Sequence, residues 1–197
     1  MIMKRKGLKG FTLIEIIVVI AILGILMAIL IPSAIGYVRK ARKTHDMSSG
    51  KHIATEVASL LSNKDDANKS FYHSSAQTKS PQWYKTDPVT GDNYYLIPVA
   101  VVNGGPGCSG NYFNWTPYES EYQDFADLLN AEMMDSDGDV DIEIKYQPKD
   151  AAKELNRWFI CYRQDKQSEI EIWVGDGSSQ SWGKGEPMYR VYPKPAY

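Results

Sequence analysis

Histidine and cysteine are scarce in this chain of 197 residues, which contains three histidines and two cysteines. His45, His52 and His73 are separated from one another, and no nucleophile motif or phosphate-binding glycine loop accompanies them. The residue types that carry most catalytic sites are therefore few and scattered. The sequence predicts a protein that is not an enzyme and that needs no cofactor.

The two cysteines, Cys108 and Cys161, have the spacing of neither a metal site nor a redox motif. If this part of the chain lies outside the cytoplasm, an oxidising compartment permits one disulfide bond between them. Two unpaired and partly buried thiols are the alternative. Both interpretations stay open.

Positive charge is in short supply in the C-terminal three quarters of the chain. His52–Tyr197 contains 13 lysines and arginines against 22 aspartates and glutamates, a net charge of −9. A segment with this charge repels the phosphate backbone, so we expect no nucleic-acid partner. Most other basic residues form two clusters that flank an apolar run: Lys4, Arg5, Lys6 and Lys9 before it, and Arg39, Lys40, Arg42 and Lys43 after it.

The apolar run, Ile16–Val38, has 23 residues and no charge. As a helix it spans about 35 Å, which is enough to cross a bilayer. A secretory signal peptide has a shorter apolar stretch, and here Pro32 lies two residues before the small residue Ala34, where cleavage would have to occur. A buried core helix of this length needs more covering chain than a small domain supplies. The run is therefore predicted to be a membrane anchor.

A plain anchor does not explain Glu15, because a carboxylate in hydrocarbon costs about 2.5–3.5 kcal/mol on insertion scales. Glu15 ends the stretch Lys9–Glu15, with the sequence KGFTLIE, which resembles the class III leader junction of type IV pilins. The resemblance extends over Lys9–Tyr37. It implies that a membrane-embedded prepilin peptidase cleaves between Gly10 and Phe11 and methylates the new amine of Phe11.

The resemblance also gives Glu15 a role in assembly. It implies that this carboxylate attracts the N-terminal amine of a subunit already docked in a growing filament, since a charge pair is strong where the dielectric constant is low. Two alternatives stay open. Glu15 lies at the headgroup boundary, or it pairs with the amine of its own Phe11 on the same helix face.

Gly24 and Pro32 both weaken a helix interior, and Pro32 also removes a backbone donor. In filaments of the resembling family, the segment between a glycine and a proline at these positions loses helical hydrogen bonds on packing. The resemblance therefore implies local melting here. An ordinary kink tolerated by a membrane helix is the alternative.

After the apolar run the helical pattern becomes amphipathic, with Ile53, Val57, Leu60 and Leu61 on one face, and it stops near Asn63. We therefore divide the chain into a leader peptide (residues 1–10), a membrane-spanning or filament-core helix (11–38), an amphipathic continuation (39–63) and a globular head (64–197).

The head is predicted to contain an antiparallel sheet. Alternating apolar residues indicate five strands, at residues 94–102, 140–146, 158–163, 169–174 and 188–192. Helical spacing of Phe125, Leu128, Leu129 and Met133 predicts a core helix within 121–134, and residues 150–158 give a weaker helical pattern. Residues 65–92 are interpreted as a long loop with short pieces of structure.

The fold class that follows is α+β: a long N-terminal α-helix packed on an antiparallel β-sheet head, which is the pilin fold that the resemblance implies. The last two strands are separated by a glycine-rich loop, residues 175–185. Trp182 in this loop is a candidate contact for a neighbouring subunit or a host surface. Packing against its own domain is the alternative.

Four carboxylates at alternate positions form a candidate calcium site: Asp135, Asp137, Asp139 and Asp141. Counted from Asp135, the sixth and twelfth positions are Val140 and Tyr146 instead of the glycine and glutamate of an EF-hand. A solvated acidic turn explains the pattern more simply, so calcium is kept as the weaker interpretation.

The leading functional hypothesis is a structural subunit of a type IV pilus, serving adhesion, motility or aggregation. The resemblance implies a single-pass precursor in the inner or cytoplasmic membrane and then an extracellular filament. The implied partners are copies of the chain, minor pilins, the prepilin peptidase, and the assembly ATPase with its platform. A pseudopilin of a type II secretion or DNA-uptake system is one alternative. A permanently anchored ligand-binding protein or adhesin is the other.

Overall fold

The computed structural model describes residues 10–72, 83–87, 89–105, 113–115, 122–148, 154–177 and 185–196. The chain forms two compact units, Met1–Ala41 and Arg42–Tyr197. Helix α1 (Leu13–Asn63) contributes its first part to one unit and its last part to the other. All other described helices and strands belong to the second unit.

Helix α1 is continuous through Gly24 and Pro32. Its end at Asn63 confirms the predicted stop, because Lys64 adopts an extended conformation with φ −130° and ψ 109°. The chain then turns directly into a second helix, α2 (Asp65–Phe71). The sequence pattern had indicated only a loop with short pieces of structure there.

An antiparallel sheet makes up most of the second unit. Its strand order is β1 (Trp83–Thr86), β2 (Asn93–Asn103), β4 (Arg157–Arg163), β5 (Ile170–Asp176) and β6 (Glu186–Tyr192), and a two-residue strand, β3 (Asn114–Trp115), also pairs with β2. Strands β2, β4, β5 and β6 confirm four of the five predicted strands, and the α+β class is confirmed. Helix α3 (Gln123–Met133) confirms the predicted core helix.

The prediction of a strand at residues 140–146 is wrong. The segment has the alternating burial of a strand, with Val140, Ile142 and Ile144 inward, but it forms no ladder with any strand that the structure describes. Its backbone groups bond to scattered partners instead: the amide of Ile144 donates to the carbonyl oxygen of Gly104 at 2.7 Å, and the carbonyl of Ile142 accepts from Nε1 of Trp158 at 2.9 Å. The alternating apolar residues of this segment therefore indicate buried side chains and not pairing with a neighbouring strand.

The predicted helix over residues 150–158 is not confirmed where the structure describes it, because residues 154–156 are not helical and β4 begins at Arg157. Residues 149–153 lie outside the described part. Strand β1 was not predicted. Its four residues, half of them exposed, are too few to show a clear period.

The sheet carries a core on each face. On the first face the last part of α1 packs through Ile53, Val57 and Leu60, together with α2, α3 and the 140–146 segment. Gly50 brings α1 close to the sheet, because a Cβ at this position would lie 2.7 Å from Cγ1 of Val191. The second face holds a smaller cluster of Tyr94, Leu96, Val101, Phe159, Cys161 and Trp173.

Candidate functional site

The first part of α1 has no covering layer within its own compact unit. Every residue from Gly10 to Arg42 is exposed, and the large apolar side chains include Phe11 at 85% and Ile29 at 69% exposure. Among the described residues, α1 is the one helix that is long and apolar enough to cross a membrane, by length and composition. In water such an apolar surface is strongly unfavourable, so the segment needs lipid or other apolar chains around it.

The N-terminus of α1 is capped by three reciprocal hydrogen bonds between Thr12 and Glu15. The amide and hydroxyl of Thr12 both donate to Oε2 of Glu15, at 2.7 and 2.8 Å, and the amide of Glu15 donates to Oγ1 of Thr12 at 3.3 Å. This is a capping box, in which two of the unsatisfied donors at a helix start find partners. It also fixes the carboxylate at the first turn of the apolar helix.

The capping box supplies a partner for Glu15 that the sequence interpretation did not consider. That interpretation weighed the amine of another subunit and the amine of Phe11, whereas the structure places Thr12 on the carboxylate. The signal was present in the sequence, because Thr12 and Glu15 have the Thr-x-x-Glu spacing that precedes an apolar helix. Thr12 is thus a site residue that the sequence interpretation missed.

Gly10 and Phe11, the residues on either side of the predicted cleavage point, precede α1 and are exposed. Neither belongs to a helix or strand, so the bond between them is accessible without unwinding of α1. The capping box lies just beyond this bond and uses no group of Gly10 or Phe11. The capping box is therefore independent of the predicted cleavage. The basic residues of the leader, at positions 4–9, lie outside the described residues.

In the second unit, Asp46 of α1 is a fully buried carboxylate, with 0% exposure. Its Oδ1 and Oδ2 accept from the amides of Lys145 and Tyr146, at 2.9 and 3.0 Å, and Nδ1 of His45 lies 3.4 Å from Oδ1. Burial raises the pKa of Asp46, although the two amides and His45 act in the opposite direction. Asp46 thus binds the backbone amides at the C-terminal end of the 140–146 segment, which pairs with no described strand.

The acidic residues 135–141 form a turn. Oδ1 of Asp135 accepts from the amides of Asp137 and Asp139, at 2.9 and 3.0 Å, and Gly138 supplies the positive φ of 83° that the turn requires. In the part of the chain that the structure describes, no group of three or more acidic, histidine or cysteine side chains could hold one metal ion. The turn geometry explains why aspartate and glycine occur together here.

The remaining candidates are placed as follows. Cys161 is fully buried in the second-face cluster, where burial raises the pKa of its thiol. Cys108 and Trp182 lie outside the described residues, as does His73. His45 and His52 are exposed on α1.

A long helix with an apolar, uncovered first part and an antiparallel sheet packed on its last part define a pilin-like α+β protein. Comparison with known proteins adds a family model, the prokaryotic N-terminal methylation motif, which matches residues 5–31. The chain is 38% identical over 63 residues to the type IV major fimbrial protein FimA of Dichelobacter nodosus. It is 40% identical over 57 residues to the type IV major pilin protein PilA of Myxococcus xanthus, and 41% identical over 56 residues to a fimbrial protein of Pseudomonas aeruginosa.

These matches cover 32%, 29% and 28% of this chain, and 39%, 26% and 36% of the respective relatives. No solved structure matches the chain. The N-terminal segment, residues 5–31, matches the methylation motif, and the chain is similar to type IV pilins, as the resemblance in the sequence indicated.

Proposed function

We propose that the chain is the precursor of a type IV pilus subunit, which loses residues 1–10, is methylated at Phe11 and polymerises through the first part of α1. The observation that carries this proposal is the uncovered apolar helix whose first turn holds one carboxylate, Glu15. The names of the matched relatives, which are fimbrial proteins and major pilins, support the same function. No catalytic step is part of the proposal.

The driving force for polymerisation is the burial of this helix against copies of itself. Leaving the bilayer exposes 23 uncharged residues, Ile16–Val38, unless other apolar helices replace the lipid. At roughly 25 cal/mol per Å² the apolar surface involved corresponds to tens of kcal/mol. Extraction therefore has to be coupled to docking, and we propose an assembly ATPase with its membrane platform as the partner that drives it. Minor pilins would join the same helix bundle.

The carboxylate of Glu15 determines how an incoming subunit is positioned against the subunits already in the filament. Within one chain the capping box uses only one of its two oxygens, Oε2. The other oxygen and the negative charge are left to attract the Phe11 amine of a docked subunit, an interaction that is strong inside an apolar bundle. We therefore propose that Thr12 orients the carboxylate while Glu15 supplies the charge.

Mass spectrometry of the mature chain tests the processing step. In cells that carry a prepilin peptidase, we expect an N-terminal peptide that begins with N-methylated Phe11. A chain that keeps Gly10 and the leader while filaments form would overturn the proposal. A chain that keeps the leader and forms no filament would instead indicate a permanently anchored protein.

A pair of substitutions separates the charge of Glu15 from its capping role. Glu15→Gln keeps an oxygen acceptor at the position where a capping box accepts glutamine, whereas Glu15→Ala removes both the charge and the cap. If the charge recruits the next amine, both variants are cleaved and inserted normally but form filaments at least tenfold less often, counted by electron microscopy. Normal filaments from Glu15→Gln and none from Glu15→Ala would show that only the cap matters.

The same features suit a pseudopilin, which would form a short fibre below the cell surface. The relatives' names favour the longer surface filament, because each is a fimbrial protein or a major pilin. Immunogold labelling of whole cells distinguishes the two: long labelled surface fibres support the pilus subunit, and label confined to the envelope supports the pseudopilin.

A further inference from the structure

The hairpin formed by β1 and β2 has one buried face and one exposed face near its turn. In β1, Trp83 packs against the second-face cluster, and Nζ of Lys85 lies 5.7 Å from the ring centroid of Trp173. The alternate residues, Tyr84 and Thr86, are exposed. Because successive side chains of a strand point to opposite faces, these two lie on the other side of the hairpin.

Strand β2 repeats this pattern opposite β1. Tyr94 and Leu96 are buried in the second-face cluster, whereas Asn93 and Tyr95 are exposed. Ile97, the next residue on the side of Tyr95, is fully buried in the first-face core. The first-face core therefore covers this side of β2 from Ile97 onwards and leaves the residues next to the turn open.

Tyr84 and Tyr95 form a pair on this open side. They lie directly opposite each other in the ladder, with their ring centroids 5.3 Å apart and their ring planes inclined by 61°. Tyr84 is 61% exposed and Tyr95 is 45% exposed. Among the described residues of the second unit, the exposed large apolar side chains are Met47, Tyr84, Val89 and Tyr95, so all but Met47 belong to this hairpin. Cross-strand contact explains why the two rings are adjacent, but it leaves their outer surfaces in water.

The rung of the ladder nearest the turn is polar. Thr86 lies opposite Asn93, and its hydroxyl donates to Oδ1 of Asn93 at 2.7 Å. Nδ2 of Asn93 has no partner among the residues that the structure describes. Tyr84, Thr86, Asn93 and Tyr95 thus place two aromatic rings beside hydrogen-bonding groups, and we call this surface the hairpin platform. It carries no charge, in a segment whose net charge is −9.

We propose that the hairpin platform binds a neutral sugar through one pyranose ring. The C–H groups on one face of a pyranose are apolar, and they pack against the electron-rich face of an aromatic ring. The sugar's hydroxyl groups lie at the rim of the pyranose, within reach of Nδ2 of Asn93 and the tyrosine hydroxyls. Because the two tyrosine rings are inclined by 61°, they form a corner for one sugar ring and not a flat strip for several.

The platform is too small and too close to negative charge for other classes of partner. A stable protein–protein interface buries about 800 Å² of each partner, and two tyrosines with two short polar side chains supply only part of such an area. An anionic partner, such as a sulfated glycan or a nucleic acid, would meet the exposed carboxylate of Asp92 in the turn and the negative net charge of the segment. A neutral sugar needs neither a large area nor a positive charge.

Binding at one platform is weak, with an expected dissociation constant of about 1–10 mM, because a single hexose has few non-hydrogen atoms. Repetition of the platform along a filament would raise the effective affinity. That gain rests on the proposed polymerisation, whereas binding by a single chain does not. The experiment therefore uses the unassembled chain, so that failure of sugar binding and failure of polymerisation are distinguishable.

Saturation-transfer NMR of the full chain in micelles tests the binding of a single chain. The detergent is dodecylphosphocholine, because a maltoside detergent would carry a competing sugar. The probes are methyl β-galactoside and methyl β-glucoside, with N-acetylneuraminic acid as an anionic sugar and empty micelles as the blank. We expect transfer to the ring C–H protons of at least one neutral probe and about tenfold weaker binding of the anionic one. No transfer to either neutral probe would overturn the proposal, and so would equal binding of the anionic sugar.

Variants of the hairpin locate the site. Tyr95→Ala should weaken binding about tenfold, and Tyr95→Phe, which keeps the ring, should weaken it about threefold or less. The matched control is Asp92→Asn, which alters an exposed carboxylate in the same turn and should leave the dissociation constant unchanged. Equal effects of Tyr95→Ala and Asp92→Asn would contradict a site at the tyrosine pair.

If Tyr95→Ala disrupts the hairpin, the parent chain with isotope-labelled tyrosine rings decides. The ring signals of Tyr84 and Tyr95, assigned by their loss in Tyr84→Phe and Tyr95→Phe, should shift as the sugar is added. Shifts confined to other tyrosines would overturn the proposal. Self-association in light scattering that Tyr95→Ala abolishes, without saturation transfer to any sugar, would show that the platform is an interface between copies of the chain instead.

Discussion

Replacing Asp46 by alanine tests how the head keeps a strand-like segment in place without a strand partner. The substitution leaves the amides of Lys145 and Tyr146 without their acceptor. A buried donor that loses its partner costs about 1–3 kcal/mol, so two such donors at a partly buried site cost about 2–4 kcal/mol. Removing a buried carboxylate also removes its desolvation cost, which places the expected loss in the lower part of this range.

Guanidinium unfolding of the detergent-solubilised chain measures this loss, with tryptophan fluorescence as the signal. Trp158 is a suitable reporter, because its Nε1 bonds to the carbonyl of Ile142 within the same segment. Hydrogen exchange gives a second, local measurement: the amides of Lys145 and Tyr146 should lose protection in Asp46→Ala. The control is His52→Ala, which alters an exposed histidine of α1 and should change stability by no more than about 0.5 kcal/mol.

The pH dependence of Asp46 follows from its burial. Burial raises the pKa of Asp46 above its unfolded value, so the stabilisation linked to protonation of Asp46 is fully present below the unfolded pKa and is lost as the pH rises through the folded one. Asp46→Asn should therefore flatten the stability profile in that window. Unchanged protection of Lys145 and Tyr146 in Asp46→Ala, or an unfolding free energy within 0.5 kcal/mol of the parent chain, would refute the reasoning.

Two further predictions concern the contact of α1 with the sheet and the acidic turn. Gly50→Ala should destabilise the second unit by about 1–3 kcal/mol, because the added methyl group would overlap Cγ1 of Val191. Gly36→Ala is the control, because a Cβ at Gly36 has no neighbour within 4 Å. Equal unfolding midpoints for the two variants would contradict the packing argument. Calcium should leave the thermal midpoint unchanged, because Oδ1 of Asp135 already accepts hydrogen bonds from two backbone amides of the turn. A saturable rise in Tm with calcium that Asp139→Asn abolishes would establish the calcium site instead.

Local patterns predicted the parts of this protein whose order depends on neighbours in the chain. The apolar period and the stop at Asn63 set the bounds of α1, and alternation located β2, β4, β5 and β6. The capping box of Thr12 and Glu15 was equally local, because both residues lie within one helical turn. It could have been predicted from the spacing alone.

Contacts between distant residues were beyond the reach of these patterns. The segment 140–146 alternates as a strand does, and only its position beside α1 makes its amides bond to Asp46, about a hundred residues away. Asp87 likewise accepts hydrogen bonds from Arg163 and Arg190, which no local period relates to it. The sequence does not distinguish a buried charged residue from a solvated one, because the tertiary structure determines which groups lie next to it.

The sequence by itself determined the apolar helix and its capped start with Glu15, since each depends on residues within a few turns of chain, and it predicts a cleavage junction between Gly10 and Phe11. The tertiary structure alone decided which carboxylates are buried and what they hold. Among the described acidic residues, four are buried: Asp46, Asp87, Glu171 and Asp176. The fold removes water from them, and it supplies backbone amides to Asp46 and guanidinium groups to Asp87 in place of water.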